Sequence, residues 1–221
     1  MRHEIRTMNE PMVNEERIPR TFFAFGASAG GIEALIAVLD RLPDGLDATV
    51  AIVVHRSPSF ESVLVDILGR HSALPTSEPD DGEPVQRGRV YLAPRGRHMT
   101  IEGDVWRVSK APPVHRWRPA VDPLFWSAAK YQGERVVGLL LSGGGADGVE
   151  GLIEIKKRGG LSIAQDPRQA LQESMPRSAI KCDDVDLVLR VEEIALVIPR
   201  LASGEEIEDG DGRAVEGGTR H

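Results

Sequence analysis

The stretch Phe25–Leu35, FGASAGGIEAL, decides the fold because it joins an apolar strand to a helix through a turn of small residues. The run Thr21–Ala27 is short and apolar, which is typical of a strand. After the turn, residues 31–42 carry apolar side chains at helical spacing. Ser28 is the one polar side chain of the turn, and it could cap the helix, belong to a phosphate-binding loop or be exposed as a nucleophile.

Outward from this unit, strands and helices alternate along the chain. Thr49–Val54 and Val136–Leu141 are continuous apolar runs, which are typical of strands buried on both faces of a parallel sheet. Met99–Glu102 and Val105–Ser109 flank a Gly-Asp turn and predict a β-hairpin. We therefore predict an α/β fold with a doubly wound, mostly parallel sheet, in a Rossmann-like three-layer arrangement with a β-hairpin. Further helices are predicted over 60–68, 122–131, 149–158 and 192–201, and further strands over 90–93, 161–164 and 187–189.

Composition divides the chain into one domain and two tails. Residues 1–20 are polar and predict a flexible N-terminal tail, and residues 203–221 are acidic and Gly-rich and predict a disordered tail. Residues 21–202 form the core domain, because the hydrophobic content of 41% is enough for a core.

Charge and cysteine content exclude several classes of function. The net charge of −7 argues against a general nucleic-acid binder. No apolar run approaches the ~20 residues that a membrane helix needs, and the N-terminus lacks the apolar core of a secretory signal. Cys182 is the single cysteine, so an intrachain disulfide is impossible. We therefore expect a cytoplasmic protein that neither binds nucleic acid nor inserts into a membrane.

Three polar residues follow strands that we expect to share one sheet. Ser28 follows the first strand, His55 follows Thr49–Val54, and Asp147 follows the Gly-rich continuation of Val136–Leu141. Sites in open parallel sheets form beyond the carboxyl ends of the strands. A serine hydroxyl needs a base such as histidine, and a carboxylate orients that base. The sequence therefore predicts a serine hydrolase with these residues as its catalytic set.

Each residue also has a structural interpretation. Ser28 could cap the following helix, His55 could be a structural residue at a strand end, and Asp147 could belong to a turn or cap a helix. The stretch GASAGG lacks the Lys-Ser/Thr of a P-loop, so nucleotide binding is the weakest alternative. The basic stretch 115–118 (HRWR) could be a solvated loop or a rim that meets an acidic partner. The remaining histidines show no metal-ligand spacing, so we expect neither a metal nor a cofactor.

Seven stretches together resemble the catalytic domain of the CheB-type chemotaxis protein-glutamate methylesterases. The resemblance covers about residues 21–200, nearly the whole core. No single stretch is specific to this family, but the seven stretches in this order are. The stretches are GASAGG (26–31), VVHRSPSF (53–60), GRVYLAPRGRHM (88–99), RPAVDPLF (118–125), LLSGGGADGVEGL (140–152), AQD (164–166) and SMPRSAI (174–180).

The resemblance implies hydrolysis of glutamate γ-methyl esters on the cytoplasmic helices of chemoreceptors, and glutamine deamidation in some relatives. It implies a nucleophile at Ser28, a base at His55 and the aspartate at Asp147, without a cofactor. By the same resemblance, Ala29, Gly144 and Arg177 are expected near the oxyanion or the substrate.

This chain departs from the pattern of the resembled family. Many relatives have threonine at position 29 and methionine at position 144. These two changes leave open a catalytically weak module that binds chemoreceptors or another partner.

Regulated members of the resembled family carry an N-terminal receiver domain whose phosphorylation opens the active site. About 20 residues precede the first predicted strand here, whereas a domain needs at least about 50. We therefore expect a stand-alone catalytic domain that is constitutively open or controlled by a separate receiver or regulatory protein.

Overall fold

The structure is a computed structural model that describes residues 19–56, 63–183, 185–205 and 207. The strands are β1 Phe22–Ala27, β2 Thr49–Val54, β3 Thr76–Ser77, β4 Arg89–Leu92, β5 His98–Glu102, β6 Val105–Ser109, β7 Val136–Leu140, β8 Leu161–Gln165 and β9 Leu187–Leu189. The α-helices are α1 Gly31–Leu39, α2 Leu64–Arg70, α3 Val121–Gln132, α4 Val149–Lys157, α5 Ser174–Asp183 and α6 Val191–Ala202, and a 3-10 turn spans Gly133–Arg135.

Seven strands form one sheet in the order β3-β4-β2-β1-β7-β8-β9, with every neighbouring pair parallel. Strands β5 and β6 pair antiparallel as a separate hairpin. The predicted α/β fold with a mostly parallel sheet and a hairpin is therefore confirmed. β1 lies at the centre of the sheet, so the turn that follows it opens at the middle of the sheet edge.

The alternating side chains of the strands build two hydrophobic cores. Phe23 and Phe25 of β1 pack on one face with apolar residues of α1, α2 and α6. Phe22 and Ala24 pack on the other face with α3, α4 and Trp106 of the hairpin. Each fully buried large side chain stabilises the fold by roughly 1.5–3 kcal/mol. Burial on both faces explains why β1 and β7 are apolar throughout and why β2 is apolar after Thr49.

Several predicted elements need correction. Helix α5 and the short strand β3 were not predicted from the sequence. Helix α5 contains Pro176, which is tolerated because it lies in the first turn, where backbone N–H groups have no helical partner. The helix predicted over 60–68 begins at Leu64 in the structure, and positions 60–62 lie outside the described residues.

The predicted tails lie almost entirely outside the part of the chain that the structure describes, so those predictions are untested. Within the described ranges, none of the helices is long and apolar enough to span a membrane.

Candidate active site

Ser28 and His55 lie side by side because the two central strands end in register. Ala27 pairs with Val54, and the backbone N–H of His55 donates to Ala27 O at 3.0 Å. Ser28 and His55 are the next residues along the two strands, which run about 4.8 Å apart. The sheet register therefore places this serine and this histidine next to each other at the carboxyl edge.

The turn at Ser28 exposes the serine rather than using it as a cap. Helix α1 begins at Gly31, and its N-cap is Gly30 in the left-handed conformation (φ 75°), with no side-chain capping bond. Glycine adopts this conformation without the steric cost that a Cβ adds. The interpretation of Ser28 as a helix cap is therefore wrong. Its side chain is half-buried and lines a cleft.

The loop after β7 fixes the turn at Ser28 through hydrogen bonds and close packing. The Ser28 N–H donates to Ser142 O at 3.0 Å. The Ser142 hydroxyl donates to Ala29 O at 2.8 Å and accepts the Gln172 N–H at 2.9 Å. A Cβ on Gly143 would lie 2.9 Å from Ser28 Cβ, so the loop approaches this closely only because position 143 is glycine. These contacts fix the position of the serine before any substrate binds.

His55 and Asp147 form a buried pair. His55 Nε2 lies 2.6 Å from Asp147 Oδ2, and their side chains are 0% and 2% exposed. Trp117 stacks on the His55 ring at 4.3 Å with an interplanar angle of 7°. His55 Nδ1 has no hydrogen-bond partner among the residues described here. With the Nε2 proton donated to the carboxylate, Nδ1 is left with a lone pair that can accept a proton.

Asp147 is held by the start of α3. The Val121 N–H donates to Asp147 Oδ2 at 2.8 Å, and the Asp122 N–H donates to Oδ1 at 3.1 Å. These N–H groups belong to the first turn of the helix, where no helical acceptor is available. The partial positive charge of a helix N-terminus also stabilises a carboxylate. Gly26 permits this approach, because a Cβ there would lie 2.5 Å from Val121 Cγ1.

These donors keep Asp147 ionised in spite of its burial. Burial raises the pKa of the carboxyl, but the hydrogen bonds from His55, Val121 and Asp122 lower it by more, so the pKa of Asp147 lies below its ordinary value. Asp147 is therefore a carboxylate near neutral pH, as a residue that stabilises an imidazolium must be.

A second carboxyl lies close behind the first. Asp122 is fully buried, and its Oδ1 accepts the Gly151 N–H at 2.7 Å. Burial, together with the smaller effect of the neighbouring Asp147 charge, raises the pKa of Asp122 to about 6. The two carboxyls thus differ in their tendency to ionise because their environments differ.

Ser28 and His55 line a cleft of about 600 Å³. Ala29 and Gly30 also line it, and their backbone N–H groups donate to no acceptor among the described residues. Such N–H groups beside a nucleophile can stabilise an oxyanion. The other lining residues are Ile32, Glu33, Val54 and Trp117.

Two predicted contact residues are not among those that line the cleft. Gly144 is exposed on the loop after β7 and does not line the cleft. Arg177 lies on α5, where its guanidinium pairs with Glu173 at 2.9 Å. Neither residue lines the cleft, and their roles with substrate stay predictions.

Sequence reasoning missed three supports of the site: the Trp117 stack, the Ser142 hydrogen bonds and the α3 backbone donors to Asp147. The stretch RPAVDPLF indicates only the family resemblance, because a role carried by backbone N–H groups leaves no side-chain signature. The sequence allows the basic stretch 115–118 to be a solvated loop or a rim, and in the structure Trp117 of this stretch forms part of the cleft wall.

The fold and the site together define an α/β protein that carries a Ser/His/Asp set at the centre of its sheet edge. The family model described as CheB methylesterase matches residues 23–198, and the chain belongs to this family.

Named relatives and a solved structure agree with this family. The chain is 44% identical over 176 residues to protein-glutamate methylesterase/protein-glutamine glutaminase 2 of Anaeromyxobacter dehalogenans, covering 80% of this chain and 52% of that protein. It is 37% identical to the protein of the same name, without the number, from Pyrococcus abyssi, covering 82% and 50%. The crystal structure of the Thermotoga maritima CheB methylesterase catalytic domain matches with a TM-score of 0.79 at 30% identity, over 83% of this chain and 100% of that one. The chain spans about half the length of the curated relatives it matches.

Proposed function

We propose that this chain is a protein-glutamate methylesterase, which hydrolyses glutamate γ-methyl esters and releases methanol. The observation that carries the proposal is the buried His55–Asp147 pair at 2.6 Å, whose Nδ1 is left unpaired beside the cleft that Ser28 lines. The names of the relatives support the same reaction.

The first half-reaction forms an acyl-enzyme. His55 Nδ1 takes the proton of the Ser28 hydroxyl, and Oγ attacks the ester carbonyl carbon. The carbonyl oxygen becomes an oxyanion, which the N–H groups of Ala29 and Gly30 stabilise. When the tetrahedral intermediate collapses, the C–O bond to the methoxy group breaks and the imidazolium gives its proton to that oxygen. Methanol leaves, and the glutamyl group stays on the serine.

The second half-reaction repeats these steps with water. His55 takes a proton from water, and the resulting hydroxide oxygen attacks the glutamyl carbonyl carbon. The proton then passes from His55 to Ser28 Oγ as the ester bond to the enzyme breaks. Asp147 keeps the proton of the neutral ring on Nε2 and stabilises the imidazolium in both halves. The products are a glutamate side chain and the free enzyme.

A primary amide follows the same route with ammonia as the leaving group, so the site is also suited to glutamine deamidation. The name glutaminase in the relatives supports this second activity. The cleft has an apolar wall from Ile32, Val54 and Trp117, which fits the methylene groups of a glutamyl side chain.

The partner that we propose is the methylated cytoplasmic helix of a chemoreceptor. The family and the apolar cleft wall support this partner. With such a substrate, the protein would act in the cytoplasm in chemotaxis-type signalling.

The test is methanol release from a methylated chemoreceptor fragment by the full chain and by Ser28→Ala. We expect release to vanish in the variant while its circular dichroism stays unchanged. Ser109→Ala is the matched control, because Ser109 is an exposed serine on the hairpin away from the cleft, and it should retain full activity. Equal release by the wild type and Ser28→Ala would refute the proposal.

A further inference from the structure

Three potential metal ligands converge beside the site from separate elements of the chain. They are His115 on the loop before α3, Asp122 in the first turn of α3, and Glu150 in the first turn of α4. One ligand atom from each lies within 4.8 Å of the others. We propose that these residues bind one divalent transition-metal ion of the zinc class.

The buried oxygen of Asp122 is the main reason for this proposal. Asp122 is 0% exposed, and its Oδ2 accepts no well-aligned hydrogen bond within the described part of the chain, although the Gly148 N–H and His115 lie close enough to lower the pKa of the carboxyl. Its other oxygen, Oδ1, accepts the Gly151 N–H. A buried carboxylate oxygen without a donor is costly, and natural proteins rarely leave one. A metal ion bound at Oδ2 would supply the missing positive charge.

His115 alone does not meet this need. Its Nε2 lies 3.0 Å from Asp122 Oδ2, but the contact is not aligned as a hydrogen bond. A separation of 3.0 Å is close to what two ligands of one zinc ion show, roughly 3–3.5 Å for bonds of about 2.0–2.2 Å. The imidazole nitrogen and the carboxylate oxygen therefore lie as co-ligands would.

The chemistry of the three donors selects the class of ion. One imidazole with two carboxylates suits zinc and its neighbours better than magnesium or calcium, which prefer oxygen ligands alone. The His115 side chain is 44% exposed and Glu150 is exposed, so both can adjust around an ion that Asp122 fixes in place. The Gly151 N–H orients the Asp122 carboxylate as an outer hydrogen bond usually orients a metal ligand.

The helix ends oppose this binding in part. The starts of α3 and α4 carry partial positive charge, which disfavours a cation. Two carboxylates offset this charge, and Asp147, hydrogen-bonded to the Asp122 N–H, adds negative potential from behind. Binding should therefore depend strongly on both Asp122 and Glu150.

A bound ion would connect the cleft wall to the helices. Trp117, which stacks on His55, lies two residues after His115. An ion shared by His115, Asp122 and Glu150 would tie this loop to α3 and α4. The proposed role of the metal is structural, and it requires no change in the proposed chemistry.

The test is a calorimetric titration of zinc chloride into the chelator-treated full chain. We expect one equivalent to bind to the wild type, and binding at least about tenfold weaker in His115→Ala and in Glu150→Gln. His71→Ala is the matched control, because His71 is an exposed histidine 2.9 Å from Asp40, and it should bind zinc like the wild type.

Absence of zinc binding in the wild type, or equal binding by all four proteins, would overturn the proposal. Crystals soaked in zinc chloride should show an anomalous peak between His115, Asp122 and Glu150, and peaks confined to other sites would also overturn it. Neither measurement depends on esterase activity.

Discussion

Replacing Asp147 with asparagine tests the buried pair most directly, since the substitution keeps the shape and removes the charge. Three N–H groups point at the Asp147 carboxylate: Nε2 of His55 and the backbone N–H groups of Val121 and Asp122. A carboxamide has one accepting oxygen, so its NH₂ group must face at least one of these donors.

Both orientations of the asparagine carry a cost. If its oxygen replaces Oδ2, it accepts from His55 and Val121, and the NH₂ faces the Asp122 N–H. If its oxygen replaces Oδ1, the NH₂ faces the Val121 N–H and donates to His55 Nε2, which moves the ring proton to Nδ1 and removes the base. Either way one buried N–H loses its acceptor, at a cost of about 1–3 kcal/mol of unfolding free energy. The lost charge and the wrong tautomer should slow methanol release by ~10²–10⁴-fold.

The assay pairs methanol release with urea denaturation of the same preparations. Asp104→Asn is the control, because Asp104 is exposed in the hairpin turn, and it should match the wild type in both measurements. If Asp147→Asn retains wild-type turnover and wild-type stability, Asp147 neither supports His55 nor anchors α3, and the assignment of the pair is wrong.

Three other substitutions each test a different contact or buried group described above. Trp117→Ala removes the ring stacked on the proposed base and should lower turnover by up to about tenfold, since an aromatic pair contributes ~0.5–1.5 kcal/mol, whereas Trp126→Ala, of nearly the same exposure, should leave turnover unchanged. Gly26→Ala places a Cβ 2.5 Å from a valine methyl of α3 and should lower the unfolding free energy by ~1–3 kcal/mol. Gly45→Ala is the control, because nothing lies within 4 Å of a Cβ at that position, and it should change the unfolding free energy little. An equal loss of unfolding free energy in both variants would contradict the close packing of Gly26 against α3. Burial lowers the pKa of His98, so protons bind the unfolded chain more readily and stability should fall as the pH drops below the ordinary histidine value of about 6.5. In His98→Gln, the free energy of unfolding should fall less between pH 7.5 and 5.5 than in the wild type, as measured by urea denaturation at each pH. An unchanged pH dependence would contradict the role of the histidine.

The sheet was predictable because its signals are local, and so was the position of the proposed catalytic residues at strand ends. A largely β-branched run marks β2, an apolar run marks β7, and the small-residue turn at Ser28 marks the end of the first strand. Since parallel strands end at one edge, Ser28 and His55 are expected at the same edge once the strands are known. The structure adds the register that makes them adjacent.

What the sequence could not reveal depends on contacts between distant elements. Helix α5 was missed because Pro176 interrupts its pattern, and proline is acceptable only once the helix start is known. The support of Asp147 comes from backbone N–H groups, which every residue but proline has. His115 and Glu150 are too far apart in sequence to form a recognisable ligand spacing, and only the packing of α3 against α4 brings them together.

The register between β1 and β2 has a consequence for how this enzyme class can diversify. The proposed nucleophile Ser28 and the proposed base His55 follow paired residues of two neighbouring parallel strands, and the base would act through Nδ1, the ring nitrogen nearer to its own main chain. Their separation is thus a property of the sheet rather than of any loop. Loops around the cleft can lengthen, shorten or change composition without moving the reacting atoms apart. A one-residue shift in register between the two strands would turn one of these side chains to the opposite face of the sheet and abolish the proposed reaction.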